Sequence, residues 1–251
     1  MTRPALLLAA LTLAAPTAPA TAQEGWGISA DIGLGAEVEP DWLGAEDMET
    51  SPWLIFRNFD VTPPGEAAAT DGSSQGLSVG PSFKWRGGRD EDDGEALAGL
   101  GDIDGTAELG VRARYTQGPV SGYVTLRKGF GGHDGWAGQV GAKYRIAPTE
   151  RLTLWPGIEG QFGDRDFTRT YFGVSDTQAA RSGSAAYDPD GGFYAAALTL
   201  EARYALTPSL ALVGEAEYGK LVGDAADAPF IEDDKQTALR LGIVHRFNLR
   251  F

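Results

Sequence analysis

The feature that most constrains this chain is a period of two in its apolar residues. Between residues 191 and 206 one parity is apolar and starts and ends on a tyrosine: Tyr194, Ala196, Leu198, Leu200, Ala202 and Tyr204. The other parity is polar in its second half, which is typical of a β-strand with one apolar face. The spacing of the two tyrosines matches the ~9 to 11 residues with which a tilted strand crosses a bilayer. They predict the two aromatic girdles of a transmembrane barrel.

Nine further segments alternate in the same way. They are residues 26–38, 51–59, 75–86, 105–116, 119–130, 135–146, 151–162, 209–221 and 236–251. Short turns at 116–119, 147–150 and 206–209 alternate with longer polar segments at 39–50, 87–104, 163–190 and 222–235. Two connections depart from this order: 131–134 is short, and 60–74 is long. The pattern predicts an all-β fold, a closed antiparallel up-and-down transmembrane β-barrel of about 10 strands with short periplasmic turns and long acidic extracellular loops.

A soluble up-and-down barrel is the competing interpretation, because it alternates equally with its apolar face turned inward. The aromatic strand edges favour the membrane, and so do both ends of the chain. Residues 1–22 combine Arg3, an apolar run and Ala20-Thr21-Ala22, which is typical of a cleaved signal peptide and leaves 23–251 as the barrel domain. The final segment is apolar at alternate positions up to Phe251. This aromatic end resembles the signal read by the outer-membrane barrel assembly machinery, which we expect as a partner.

Composition excludes several classes of function. There are 21 Lys and Arg against 35 Asp and Glu, a net charge of -14, which argues against nucleic acid as a partner. Without cysteine there is no disulfide, thiolate zinc site or cysteine nucleophile. His133 lies beside Asp134 in a glycine-rich hairpin tip, and His245 lies on an apolar parity, which is a poor place for a general base. We expect that the protein is not an enzyme and that it has no catalytic, cofactor-binding or metal-binding residues.

Two of the long loops carry runs of carboxylates. One contains Asp90-Glu91-Asp92-Asp93 with Asp102 and Asp104, and the other contains Glu232-Asp233-Asp234. Neither has the spacing of a calcium loop. The simpler interpretation is a solvated loop that its own repulsion keeps open. The alternative is that these carboxylates share Mg²⁺ or Ca²⁺ with the phosphates of lipopolysaccharide.

Charged residues on the polar parities are expected to line the lumen. The basic ones are Lys84, Arg86, Arg112, Arg114, Arg127, Lys143, Arg145, Arg203, Arg240 and Arg246. The acidic ones are Glu108, Glu159, Glu201, Glu215 and Glu217. Those on the last three strands are placed to pair across neighbouring strands. Such a lumen suits either a small pore for anionic solutes or a plugged, salt-bridged interior, because ~8 strands are only just filled by side chains.

Four segments carry a family resemblance. They are 26–56, 88–110, 223–230 and 171–192, of which YFGVSDTQAARSGSAAYDPDGG at 171–192 is the most specific. The chain resembles the MipA/OmpV family of outer-membrane proteins. The resemblance implies a Gram-negative outer-membrane barrel. For the MipA branch it implies a non-catalytic scaffold that joins the lytic transglycosylase MltA to a bifunctional penicillin-binding synthase. OmpV-like members are surface antigens, adhesins or osmotically regulated porins.

The segment between Phe59 and Gly80 is shorter than the resemblance leads us to expect, so relatives could have twelve strands where this chain has ten. The expected function is an envelope scaffold for peptidoglycan-remodelling enzymes. The alternatives are a small passive pore and an adhesin acting through residues 163–190. Expected partners also include outer-membrane lipid and lipopolysaccharide. In the scaffold hypothesis, partner binding involves the 60–74 segment with Pro63-Pro64.

Overall fold

The structure, a computed structural model, describes residues 25–62, 64 and 74–251. The predicted signal peptide 1–22 and most of the 60–74 segment therefore lie outside the described residues. All ten predicted strands are confirmed: β1 Gly27–Pro40, β2 Met48–Thr62, β3 Gly76–Arg86, β4 Thr106–Gln117, β5 Val120–Gly131, β6 Trp136–Tyr144, β7 Leu152–Gly163, β8 Gly192–Ala205, β9 Leu210–Leu221 and β10 Lys235–Arg250. The 163–190 loop contains helices α1 Arg165–Phe172 and α2 Asp176–Ser182. No helix in the described ranges has the length and apolarity to cross a bilayer.

The ten strands form one antiparallel sheet in the order β2-β1-β10-β9-β8-β7-β6-β5-β4-β3. The first and last strands pair along their length, from Gly27 opposite Arg250 to Val38 opposite Leu239. This confirms the ten-stranded up-and-down barrel. The barrel is nearly closed: β2 and β3 are the two ends of the sheet, and no ladder joins them within the described chain. We refer to this unpaired boundary between β2 and β3 as the seam.

Alternate side chains on each strand place large apolar residues on the outside of the barrel. Exposed examples are Leu34, Leu54, Leu77, Trp85, Val111, Tyr115, Trp136, Tyr144, Ile158, Leu198, Tyr218, Leu241 and Phe247. A soluble barrel would turn these residues inward, whereas a membrane barrel presents them to lipid. His245 is also exposed on this outer face, against the ring of Phe247. The membrane interpretation is therefore the one that the arrangement of side chains supports.

The prediction that Tyr194 belongs to the outer aromatic girdle is wrong. Tyr194 is only 3% exposed, whereas Phe193 is 58% exposed. A bulge opposite Gln161 and Phe162 shifts the register of β8 by one residue and turns Tyr194 inward, where its hydroxyl donates to Gln161 Oε1 at 3.0 Å. A bulge reverses the parity of the residues beyond it, so period two counted across it assigns the wrong face. Phe193 takes the outer position that was predicted for Tyr194.

The long loops fold together over one end of the barrel, and we call this assembly the cap. The loops 39–50, 87–104, 163–190 and 222–235 each contribute buried side chains to its core: Trp42, Ala45, Leu97, Leu100, Phe167, Tyr171, Phe172, Val174, Ala225, Ala228 and Phe230. The prediction that the acidic 87–104 loop is held open by repulsion is wrong. Leu97 and Leu100 anchor it in the cap core, and Glu91 binds its backbone by accepting from the Gly101 N–H at 3.1 Å. Burial of the two leucines outweighs the repulsion between exposed carboxylates.

Candidate functional site

The end of the lumen opposite the cap, here the turn end, is crossed by a buried ion cluster on Asp31. Its carboxylate is fully buried and lies 2.9 Å from Arg203 on β8 and 3.1 Å from Arg246 on β10. Asn58 donates to the same carboxylate at 2.8 Å, and Ser29 accepts from Arg246 at 2.8 Å. Asn58 has a positive φ of 52° beside a bulge between β1 and β2, a conformation that asparagine tolerates better than most residues. The bulge turns Asn58 towards Asp31.

A second cluster spans the middle of the lumen. Arg57 on β2 reaches Glu201 on β8 at 2.5 Å and Glu215 on β9 at 2.9 Å, and Lys143 on β6 reaches Glu201 at 2.9 Å. These contacts join strands that are not neighbours in the sheet. The predicted pairing between neighbouring strands is found for Arg240 and Glu217 at 3.5 Å. For Arg246 the partner is Asp31, directly opposite on the neighbouring strand β1. For Glu201 and Arg203 the prediction is wrong, since the interior is narrow enough for long side chains to reach strands that are not neighbours.

The third cluster lies directly under the cap. Glu108 is fully buried, with Arg86 at 3.0 Å, Arg127 at 2.9 Å and His133 Nε2 at 3.4 Å. His133 is buried against the rings of Phe167 and Tyr171. The hairpin tip predicted for this histidine is thus covered by α1. Its ring belongs to the junction between barrel and cap.

An apolar patch fills part of the lumen that the sequence pattern assigned to polar residues. Ile55, Ala211, Val213 and Val244 pack together on the inner face of three strands, β2, β9 and β10, with Trp53 against them. Gly242 makes room for this patch, because a Cβ there would lie 2.6 Å from Ile55 Cδ1. The sequence signal for this patch was the presence of valine and alanine at inward-facing positions of β9 and β10, where polar residues were expected. The patch narrows the lumen on the side opposite β4 and β5.

A cavity of about 910 Å³ occupies the remaining lumen. Its lining runs from Trp42 and Arg89 at the cap end to Gly118 and Pro119 at the turn end. Along β3 the inward positions are small, with Ser78, Gly80 and Ser82 in sequence. These small residues leave room in front of the basic side chains of β3 and β4.

Three of those basic side chains have no ion pair within the described residues: Lys84, Arg112 and Arg114. Arg112 lies over the Tyr123 ring at 4.0 Å, and the Tyr123 hydroxyl donates to Glu159 at 2.5 Å. The nearby carboxylate of Glu108 is already held by Arg86 and Arg127. This side of the lumen therefore carries three basic side chains that have no carboxylate at ion-pair distance within the described residues.

The cavity also reaches the seam. Its lining includes outward residues of both edge strands, Leu54 and Phe56 on β2 and Phe83 and Trp85 on β3, together with inward residues of the same strands. Towards the turn end the seam is bridged by packing: a Cβ at Gly80 would lie 3.3 Å from Phe59 Cβ. Ser74 also donates a hydrogen bond to Asp60 there. The cavity lining thus includes outer-face residues on both sides of the unpaired boundary between β2 and β3.

Charges in the cap shift pKa values in both directions. The carboxylates of Asp102 and Asp93 raise the pKa of Asp90 above its ordinary value. The Arg169 guanidinium, which donates to Asp188, lowers the pKa of that carboxyl to about 2. Burial lowers the pKa of Arg89 to about 10, and this side chain lies over the Phe230 ring at 5.1 Å. No group of three or more His, Cys, Asp or Glu is arranged to hold a metal ion among the residues described.

The chain matches one known protein family over most of its length. The family model described as MltA-interacting protein MipA matches residues 32–247, which is most of the chain. The chain belongs to this family. The match confirms the predicted resemblance and, with the lipid-facing outer surface, makes the protein an outer-membrane β-barrel.

Two curated relatives agree with this membership. The MipA-family chain is 26% identical over 114 residues to the putative outer membrane protein YiaT of Escherichia coli K12, covering 45% of this chain and 46% of that protein. It is 30% identical over 96 residues to the MltA-interacting protein of the same organism, covering 38% of each. Each alignment thus spans less than half the length of the curated relative.

Two solved outer-membrane proteins have a partly similar shape. The COG4313 outer membrane channel from Pseudomonas putida F1 has a TM-score of 0.45 and 13% identity, covering 94% of this chain and 100% of that one. OprD from Pseudomonas aeruginosa has a TM-score of 0.34 and 16% identity, covering 70% of this chain and 49% of that one.

Sequence reasoning missed two residues that organise the lumen. Asp31 lies on the polar parity of β1, and Arg57 lies on that of β2. Both could have been assigned to the lumen from period two. Their partners across the lumen, Arg203 and Glu201, could not, since those lie three or four strands away in the sheet order.

Proposed function

We propose that this MipA-family barrel is a non-catalytic scaffold that binds a murein-remodelling enzyme at its turn end, on the periplasmic side. The observation that carries the proposal is the set of ion pairs across the lumen, with Arg57 to Glu201 and Asp31 to Arg203 joining opposite walls. A wall cross-linked in this way is a rigid platform. The cap core closes the other end, and together they oppose free passage of solutes.

The partner class follows from the family description, which names an interaction with MltA. The turn end offers the short connections 118–119, 145–151 and 206–209, and the 60–74 segment joins β2 to β3 on the same side. That segment is the longest connection at this end, and its sequence contains Pro63-Pro64. We infer that it supplies much of the contact surface.

The test is affinity capture of a purified MltA-type lytic transglycosylase by the full barrel in detergent. Replacing residues 64–73 with a Gly/Ser linker of equal length should abolish capture. Replacing residues 176–183, at the cap end, with the same kind of linker is the matched control and should leave capture unchanged. Capture that survives the turn-end replacement, or that is lost only with the cap-end replacement, contradicts the proposal.

A small pore is the second candidate, and the basic side of the 910 Å³ cavity is what favours it. Single-channel recording on refolded protein in planar bilayers separates the two. A scaffold gives no current steps over the whole voltage range. Reproducible anion-selective steps that disappear in the Arg112→Glu variant would establish the pore instead.

A further inference from the structure

We propose that the seam binds one anionic phospholipid. Its phosphate lies in the lumen between Lys84 and Arg112, and an acyl chain passes between β2 and β3 into the bilayer. This site goes beyond the scaffold function and does not depend on it. Three features of the barrel support it: the backbone of the two edge strands, the shape of the cavity and the placement of charge.

The sequences of the two edge strands do not favour pairing between them. Backbone N–H and C=O groups that face hydrocarbon without a partner cost several kcal/mol each, so a barrel normally pairs every strand. Here β2 carries Pro52 and β3 carries Pro81, and neither can donate to a ladder. A complete β2–β3 ladder is therefore disfavoured by the sequence itself.

The opening occupies only part of the boundary between β2 and β3. Towards the turn end Phe59 packs over Gly80, and the Ser74 to Asp60 hydrogen bond ties the strands together. Beyond this contact, Phe56 on β2 and Phe83 on β3 face outward and line the same cavity as the inward Lys84. One continuous space thus has an apolar mouth towards lipid and a basic interior. An amphiphile with a negative headgroup matches this arrangement, because its headgroup suits the basic interior and its apolar chain suits the mouth.

Charge selects an anion for the interior part. Lys84 lies on the cap side of the opening and Arg112 on its turn side, and neither forms an ion pair within the described chain. A partly desolvated cation is costly unless a counter-charge is present. A lipid phosphate offers that charge, and its attached acyl chain would fill the gap between Phe56 and Phe83.

The experiment uses the full barrel in phosphatidylcholine vesicles doped with a phosphatidylglycerol whose acyl chain carries a photoactivatable group. Crosslinked peptides are mapped by mass spectrometry. We expect labelling concentrated on residues 54–56 and 83–85. The internal reference is the lipid-facing surface of β7 and β8 around Ile158 and Leu198, two exposed residues on fully paired strands.

The charge test is the Lys84→Gln/Arg112→Gln variant, which should lower seam labelling about tenfold, the factor expected when a charge-assisted contact is lost. Labelling of the β7–β8 surface should not change. Should the double variant fail to assemble, Arg112→Gln alone keeps the test, because Arg112 is exposed to the lumen and its described contact is the Tyr123 ring. A phosphatidylcholine probe with the same reactive chain should show no preference for the seam.

Two results would overturn the proposal. Equal labelling of the seam and of the β7–β8 surface would mean ordinary lipid around the barrel. Seam labelling that is unchanged in the charge variants would mean that the chain enters without a bound headgroup. Neither outcome bears on capture of a lytic transglycosylase, so failure here is distinct from failure of the scaffold proposal.

Discussion

At the scale of residues, the interior is organised by buried charges with several partners each. Asp31 accepts from Arg203 and Arg246 on two different strands, and Glu108 similarly holds Arg86 and Arg127. A buried charge that loses its partner is strongly destabilising, whereas an exposed pair contributes little. The free energy of unfolding should therefore depend sharply on which carboxylate is removed.

Asp31→Asn tests this dependence. The change leaves Arg203 and Arg246 buried without their counter-charge and should lower the free energy of unfolding by about 3 to 5 kcal/mol. Urea unfolding in detergent, followed by tryptophan fluorescence, measures the loss. The matched control is Asp188→Asn, which breaks an exposed pair with Arg169 and should change little. Equal effects from the two variants would show that the lumen cluster is not the stabilising one.

The raised pKa of Asp90 predicts that the stability of the cap depends on pH. Because Asp102 and Asp93 raise its pKa in the folded state, Asp90 contributes stability below its ordinary pKa of 3.8. That contribution is lost as pH rises through the raised value. Hydrogen exchange of amides 89–104, corrected for intrinsic rate, should show better protection at about pH 4 than at about pH 7. Asp90→Asn should reduce this difference, whereas Asp176→Asn, in α2, should retain it.

At the scale of elements, α1 connects the cap to the barrel. Asp164 caps the helix by accepting from the Phe167 N–H at 2.9 Å. Phe167 is fully buried and contacts His133, Tyr171 and Tyr194. Tyr194 reaches this position because of the bulge in β8. Helix and bulge thus depend on each other, and removal of the Phe167 ring should loosen the cap before the barrel.

Phe167→Ala should cost the cap about 3 to 5 kcal/mol, since it leaves a cavity in a closed core. We expect trypsin to cleave after Arg169 and Arg181 much faster, while the barrel stays resistant and heat-modifiable on gels. Phe193→Ala, which removes an exposed ring from the neighbouring outer position, is the control and should leave cleavage slow. Loss of the folded barrel in Phe167→Ala would show instead that cap and barrel unfold together.

At the scale of the whole molecule, nine strand pairs close the sheet and one boundary stays open. The open boundary joins the lumen to the lipid-facing surface, while the cap closes one end. The lining of the basic cavity extends to Gly118 and Pro119 at the turn end and includes residues of both edge strands.

A cysteine pair tests the geometry of the seam, since the chain has no cysteine of its own. Phe59→Cys/Gly80→Cys should oxidise readily, because the Cβ separation of 3.3 Å is close to the range of a disulfide. The crosslinked loop changes mobility on non-reducing gels, and reductant reverses the change. Either single variant is the control and should show no shift. A pair that stays reduced under oxidant would place β2 and β3 further apart than described.

Much of this architecture follows from the sequence by itself. Period two located all ten strands and the lipid-facing parity, because a barrel wall separates lipid from lumen at every residue. The polar parity placed Glu108, Glu201 and Arg240 inside, and the segment at 171–192 identified the family. These properties are local, since each depends only on neighbours along the strand.

The tertiary structure alone decided which charges meet, where the wall is open and how the loops pack. Arg57 binds Glu201 because the lumen is narrow enough for the two side chains to meet across it. The diameter of the barrel cannot be read from the spacing of residues along the chain. Tyr194 turned inward because one extra residue at a bulge reversed the parity. The cap formed because leucines and aromatics from separate loops could bury one another, although their carboxylates predicted an open loop. Contacts between distant segments depend on closure of the sheet, and closure is a property of all strands together.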